Sequence, residues 1–247
     1  MAFFPQIFPI PDSPAIWAHR GYHHAFPENS IGAFRAAKIA GILGVECDIW
    51  QIQDGSWVVF HDETMERMTG NPTFITHSTP ALLRQYPLYL PPYEQQHHST
   101  EHVPYLIDVL KEVTPFGYCA MELKHNRAAA SFASFLRTIW LSADIYTHHL
   151  WLCSFDHKAL ELIRQLAPPI PIALLYETLP NNWDDIRQTI NNCRAHALSV
   201  AFELITPELI QLATSQQCDL WAWTVNGQQR IAHYHQMGVK ICISDHW

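Results

Sequence analysis

Five short stretches of the 247-residue chain set ionisable side chains at the ends of apolar runs. They are Ala18-His19-Arg20-Gly21, Glu46-Cys47-Asp48, Phe60-His61-Asp62, Met121-Glu122-Leu123-Lys124 and Trp223-Thr224-Val225-Asn226, with Ile243-Ser244-Asp245 close behind the last. Taken singly, each is an ordinary strand ending or a solvated pair of charges. Taken together they form a chemical set. Alternate residues of a strand share a face, so Glu46 and Asp48 point the same way, as do Glu122 and Lys124. Two carboxylates that close repel, and one pKa rises unless a cation lies between them. Glu46, Asp48 and Glu122, with no cysteine cluster beside them, make a site of hard oxygen donors that suits Mg²⁺ or Ca²⁺ rather than zinc. His19 and His61 supply a general base and a general acid near neutral pH. Arg20 and Lys124 supply fixed cations for a phosphate oxyanion. A hard metal, two imidazoles and two cations point to metal-assisted cleavage of a phosphate ester.

These endings converge only if the elements carrying them run in parallel. Strand candidates lie at 16–19, 45–48, 58–61, 119–123, 150–154, 172–175, 198–202, 220–224 and 241–244. Amphipathic helix candidates separate most of them, at 30–40, 105–113, 127–141, 157–166, 183–193, 207–216 and 228–237. Asn29 or Ser30 caps the first and Gly41 stops it; Thr206 caps the helix that begins at Pro207. Strand–helix alternation implies right-handed crossovers and a parallel sheet, and the length favours an α/β fold of the (β/α)8 TIM-type barrel, with sites at the carboxyl ends of its strands. Nine strands are one too many. Asp54-Gly55 is a hairpin signal between two extended runs with no helix between them. Counting out from a two-residue turn pairs Gln53 with Ser56, Gln51 with Val58, and Asp48 with His61. Which of the two runs leaves the barrel wall stays open.

Residues 62–103 break the alternation with five prolines and Gly70, yet carry Tyr86, Leu88, Tyr89, Leu90 and Tyr93. That is too apolar for a linker and reads as an insertion packed over one end of a single domain spanning 1–247. No helix is expected after Asp245, so the apolar segment 3–10, or a subunit interface in a homodimer, is expected to cover the outside of the barrel there. The 15 basic and 23 acidic residues leave a net charge of −8, which argues against a nucleic-acid partner and against docking on an anionic membrane. The six cysteines form no CxxC pair and read as buried free thiols. Four prolines interrupt the first 14 residues, which read as neither signal peptide nor membrane span, and a cytoplasmic protein is expected. Among the other histidines, His23, His24, His97, His98, His125, His148 and His149 read as solvated or structural.

The run AHRGYHHAFPENSIGAFRAAKIAGILGVECDIWQIQDGSWVVFHDETMERMTG resembles the N-terminal signature of the glycerophosphodiester phosphodiesterase family: HRG, PENT, a Glu-x-Asp strand, a DG turn and a VVxHD strand. VPYLIDVL, MELK, SFDHKALELIRQLAP, WTVN and GVKICISDHW are similar to its later blocks in order and spacing, so the likeness spans residues 17–247. Ser30 stands where the family has Thr, which keeps a hydroxyl cap. The resemblance implies a TIM-type barrel with a small insertion after the HD strand, and cleavage of glycerophosphodiesters into glycerol 3-phosphate and an alcohol. It implies Glu46, Asp48 and Glu122 as divalent-metal ligands, His19 and His61 as the acid–base pair, and Arg20 and Lys124 as phosphate contacts. Glu28 and Asn29 would brace the first loop, and Trp223 would wall the site. Two other readings keep the barrel. One is a lysophospholipase D-like enzyme whose apolar slot comes from the insertion's tyrosines and leucines; the other is an inactive barrel that binds a phosphate metabolite, which the presence of all five acids and histidines disfavours.

Overall fold

A computed structural model describes residues 15–124 and 128–247. Nine strands alternate with helices: β1 (Ala15–His19), β2 (Gly44–Gln51), β3 (Trp57–Val59), β4 (Tyr118–Leu123), β5 (Leu150–Ser154), β6 (Ile172–Tyr176), β7 (Ala197–Ala201), β8 (Asp219–Trp223) and β9 (Ile241–Ser244). The helices are α1 (Ile31–Ile39), α2 (Glu66–Thr69), α3 (Pro80–Gln85), α4 (Leu106–Val113), α5 (Ala129–Ile139), α6 (His157–Leu166), α7 (Trp183–Cys193), α8 (Pro207–Ser215) and α9 (Gln228–Gln236). Eight strands pair in parallel, and β1 joins both β9 and β2, so the sheet closes into a (β/α)8 barrel. The ninth is β3, which pairs only with β2 and antiparallel to it. That resolves the surplus strand: β2 stays in the wall and β3 leaves it.

Local chemistry sets the helix starts. Ser30 Oγ accepts from the Ala33 N–H at 3.1 Å, Asp156 Oδ1 from Ala159 at 3.0 Å, and Thr206 Oγ1 from Leu209 at 3.2 Å, each satisfying a donor the helix itself cannot. The outward-facing strand residues, such as Val45, Cys47, Met121 and Leu152, pack against the helices. The inward-facing ones change character along the strands. Trp17, Trp151 and Trp221 fill the interior, with the Trp221 ring 4.8 Å from Trp17 and 4.7 Å from Trp151. Gly44 makes room for this packing, since a Cβ there would lie 2.3 Å from the Trp17 indole nitrogen. One inward step nearer the carboxyl ends, the same strands present His19 and Trp223. All six cysteines are buried free thiols, as expected from their apolar surroundings.

The hairpin register differs by one residue from the sequence expectation. Trp50 pairs with Val58 and Gln51 with Trp57. Gly55 N donates to Ile52 O, Ile52 N donates to Ser56 O, and Gly55 has φ +88°, so the loop is the three-residue Gln53-Asp54-Gly55 with glycine in the left-handed position. Asp48 is therefore bonded through its carbonyl to Phe60, not His61. Because a one-residue slip exchanges the two faces of a strand, Trp50, Val58 and Phe60 turn together onto the segment that follows. There they meet Met65, Met68, Ile75, Leu83 and Leu88, and residues 62–103 form a small core of their own around α2 and α3. Residues 3–10, expected to cover the barrel's outside, lie outside the described residues.

Candidate active site

Cross-strand register brings the acidic residues together. His19 is the β1 partner of Glu46 in β2, and Asp48 is the β2 partner of Glu122 in β4. One carboxylate oxygen from each of Glu46, Asp48 and Glu122 lies within 4.8 Å of the others. Above them opens a cavity of about 280 Å³. Its polar wall comes from β1, β2, β4 and the segment after β3, as His19, Arg20, Glu46, His61, Glu122 and Lys124. Its apolar wall comes from β5, β6, β8 and β9, as Cys153, Leu175, Trp223 and Ile243, with Phe155 just past β5. Asp48, 1 % exposed, is buried behind the polar wall. Every residue singled out in the sequence for chemistry is thus at one mouth of the barrel. His61 reaches it despite the register slip because β3 has already ended, and Trp50 Nε1 donates to the His61 carbonyl at 3.3 Å.

The three carboxylates form a group that could hold a cation. Burial, then the neighbouring Asp48 and Glu122, pushes the Glu46 carboxyl well above the usual range. Burial and Asp48 likewise raise Glu122. Burial also acts to raise Asp48, but Lys124 and Arg20 outweigh it and hold that carboxyl below the ordinary range. Lys124 Nζ lies 2.8 Å from Asp48 Oδ1 and 2.7 Å from Glu122 Oε1, and Arg20 Nε lies 3.2 Å from Asp48 Oδ2. Glu46 Oε2 is buried and accepts no hydrogen bond from the described residues. A buried carboxylate oxygen with no donor, facing two more carboxylates, fits a hard divalent cation.

Both histidines are oriented by carboxylates. His19 Nδ1 is 2.7 Å from Asp245 Oδ1, and His61 Nδ1 is 2.7 Å from Asp62 Oδ1. In each case the Nδ1–H donates to the acid, which leaves Nε2 as the atom able to exchange a proton. Burial lowers the His19 pKa, partly countered by Asp245. Asp245 is braced in turn: its N–H donates to Asn226 Oδ1 at 2.8 Å, and His23 Nε2 lies 3.1 Å from its Oδ1. Arg67 grips Asp62 through Nε at 2.6 Å and Glu28 through Nη2 at 2.6 Å, and Glu28 accepts from Arg20 Nη1 at 3.0 Å. Asn29, at φ +58°, donates from Nδ2 to Asp48 Oδ2 at 2.8 Å. Glu28 and Asn29 therefore brace the first loop against the site.

Sequence reasoning gave no role to Asp245, Asn226, Asp62 or Arg67. The first two had a signal, since both end strand-terminal segments and a closed barrel sets its last strand beside its first. His23 and His24 both bond Asp245, His23 at its carboxylate and His24 at its carbonyl, each at 3.1 Å. His125 lies outside the described residues. Leu88 and Tyr89 are buried in the insertion, and Tyr93 accepts the Glu28 N–H at 3.0 Å; none of these lines the cavity, so the insertion does not supply the apolar slot considered above.

Over residues 19–247 the sequence matches the glycerophosphoryl diester phosphodiesterase family. The chain belongs to that family. A glycerophosphodiester phosphodiesterase of Caldanaerobacter subterraneus subsp. tengcongensis is 26 % identical over 230 residues, 92 % of each chain. One from Bacillus altitudinis is 25 % identical, covering 93 % of this chain and 94 % of its own. The fold matches that of an Oleispira antarctica phosphodiesterase solved with the product sn-glycerol-3-phosphate, at a TM-score of 0.82, 22 % identity, and coverage of 94 % and 93 %. It also matches the Thermotoga maritima glycerophosphodiester phosphodiesterase at a TM-score of 0.73 and 22 % identity, with 94 % of each chain covered. As a member of this family the protein is a hydrolase of the TIM-barrel type.

Proposed function

We propose that the protein hydrolyses glycerophosphodiesters to sn-glycerol 3-phosphate and an alcohol, with His19 and His61 as its acid–base pair. The observation that carries this reading is the convergence of two buried carboxylates, a part-buried third and two carboxylate-held imidazoles on one cavity. Glu46, Asp48 and Glu122 would hold the cation, Mg²⁺ or Ca²⁺, which when bound stabilises charge on the phosphate. Arg20 and Lys124 contact the phosphate's non-bridging oxygens, and Trp223 walls the substrate. One imidazole takes the proton of the attacking hydroxyl through Nε2, and the other returns a proton to the departing alkoxide as the P–O bond breaks. Attack by the substrate's own glycerol 2-hydroxyl gives a cyclic phosphate. Water then opens it, with the two imidazoles exchanging roles. The product held by the Oleispira antarctica neighbour is the one this scheme yields.

The chain acts as one catalytic domain, with 62–103 as an insertion in it. Six unpaired thiols fit a reducing, cytoplasmic setting, and among the described residues no helix is long and apolar enough to cross a membrane. Glycerol 3-phosphate release from glycerophosphocholine, measured with Mg²⁺ or Ca²⁺ and again in EDTA, tests the assignment. Metal-dependent turnover is expected, and lysophosphatidylcholine is expected to be cleaved far more slowly. Undiminished activity in EDTA would sink the metal assignment; faster lysophosphatidylcholine cleavage would sink the substrate assignment.

A further inference from the structure

The catalytic cavity does not end at the phosphate position. Past Phe155, Leu175 and Glu177 it runs into a second cavity of about 520 Å³ that also takes in Tyr176 and Asp185. Phe155 and Glu177 come directly after β5 and β6, and Asp185 lies in the first turn of α7, so two successive strand–helix connections build this groove. Phe155 is 45 % exposed, and its ring stands edge-on to Trp223 with centroids 5.7 Å apart. Phe155 is thus an exposed aromatic side chain held in place by its neighbour. Glu177 is exposed, and its carboxylate makes no hydrogen bond or ion pair with the described residues. Lining the second cavity are two carboxylates and no lysine or arginine among the described residues. Burial lowers the His157 pKa, partly countered by the bond between its Nε2 and the Leu175 carbonyl at 3.0 Å.

A glycerophosphodiester has two substituents on phosphorus. The glycerol side is neutral, so an acidic, aromatic groove offers its hydroxyls hydrogen bonds but no attraction between charges. A positively charged alcohol gains from both features, because a cation is attracted by an aromatic face and by an unpaired carboxylate. We propose that the groove from Trp223 and Phe155 to Glu177 and Asp185 is the leaving-group subsite, and that it selects glycerophosphodiesters whose alcohol carries an ammonium group. This rests on the phosphodiesterase reading given above and names the alcohol that reading leaves open.

The test compares kcat/KM for glycerophosphocholine and glycerophosphoethanolamine with that for glycerophosphoglycerol and glycerophosphoinositol. The first pair is expected to be favoured over the second. Glu177→Gln is expected to lower the ratio of the first pair to the second by about 3- to 10-fold, the size of a part-exposed ion pair with a cation–π contact, and chiefly through KM. Phe155→Leu should lower the same ratio in the same direction. Equal Tm for Glu177→Gln and wild type shows that an exposed, unpartnered carboxylate was replaced without harm to the fold. A wild-type ratio near one, or a ratio that neither substitution moves, overturns the subsite while leaving the hydrolase reading intact. Failure to cleave any of the four substrates with metal present overturns that reading instead.

Discussion

His19 and His61 carry the same chemical device, an imidazole held through Nδ1 by a carboxylate at 2.7 Å, but the chain builds it in opposite ways. For His61 the acid is the next residue, and Arg67, five residues on, fixes that acid. For His19 the acid is Asp245, 226 residues away, and the contact exists only because β9 closes against β1. One support is local and belongs to the segment that opens the insertion. The other belongs to the seam of the barrel and is shared with Asn226 and His23. Damage to the seam should therefore disable His19 alone. Damage to the insertion should disable His61 and, through Arg67 and Glu28, disturb Arg20 as well.

The largest effects test whether the two histidines form one unit. His19→Ala and His61→Ala should each lose roughly 10²–10⁴ in kcat, with the double variant little worse than either. A single variant that keeps most of its turnover would remove that histidine from the acid–base pair. Next in size are the supports. Asp245→Asn and Asp62→Asn should each lower kcat about 10- to 100-fold and shift the pH–rate profile, as changes to groups that orient a reacting side chain do. A fall in Tm with an unmoved pH profile would make either acid merely structural.

Acid stability gives a smaller and more selective reading. Burial acts to raise both carboxyls, but bonds from His19 and His23 hold Asp245 well below its usual pKa, and bonds from His61 and Arg67 do the same for Asp62. A depressed carboxyl contributes stability above its unfolded pKa of about 3.9, and that contribution is lost as pH falls through the folded value. In urea melts the stability gap between wild type and Asp62→Asn should therefore persist down to about pH 4 and close below it. A gap unchanged at pH 2 would mean that the carboxylate charge contributes nothing. The smallest effect is expected at the cap of α1. Ser30→Ala removes the hydroxyl that accepts from Ala33 and should cost about 1 kcal/mol of stability, read as a lower Tm. A loss of activity larger than the loss of stability would show that the cap also holds Asn29 on Asp48.

The sequence made the local chemistry legible. Period-two spacing put Glu46 beside Asp48 on one face, strand–helix alternation implied the parallel barrel, and the helices at 157–166 and 183–193 match the structure end to end. Where expectation and structure part, the cause is geometry that residue order does not carry. Asp54-Gly55 announced a turn, but a two-residue and a three-residue loop both use glycine at positive φ, and only the pairing of Trp50 with Val58 distinguishes them. In the lysophospholipase D-like reading the insertion's tyrosines and leucines would line a substrate slot. Tyr86, Leu88 and Tyr93 instead pack with Trp50, Val58 and Phe60, which the register turns toward them.

By itself the sequence determined which side chains end the strands and so which chemistry is available, because strand periodicity and helix capping act over a few residues. The tertiary structure alone decided that Asp245 serves His19, and that Phe155, Glu177 and Trp223 share a wall. Those contacts join strands far apart in the chain, and only closure of the barrel fixes their distances.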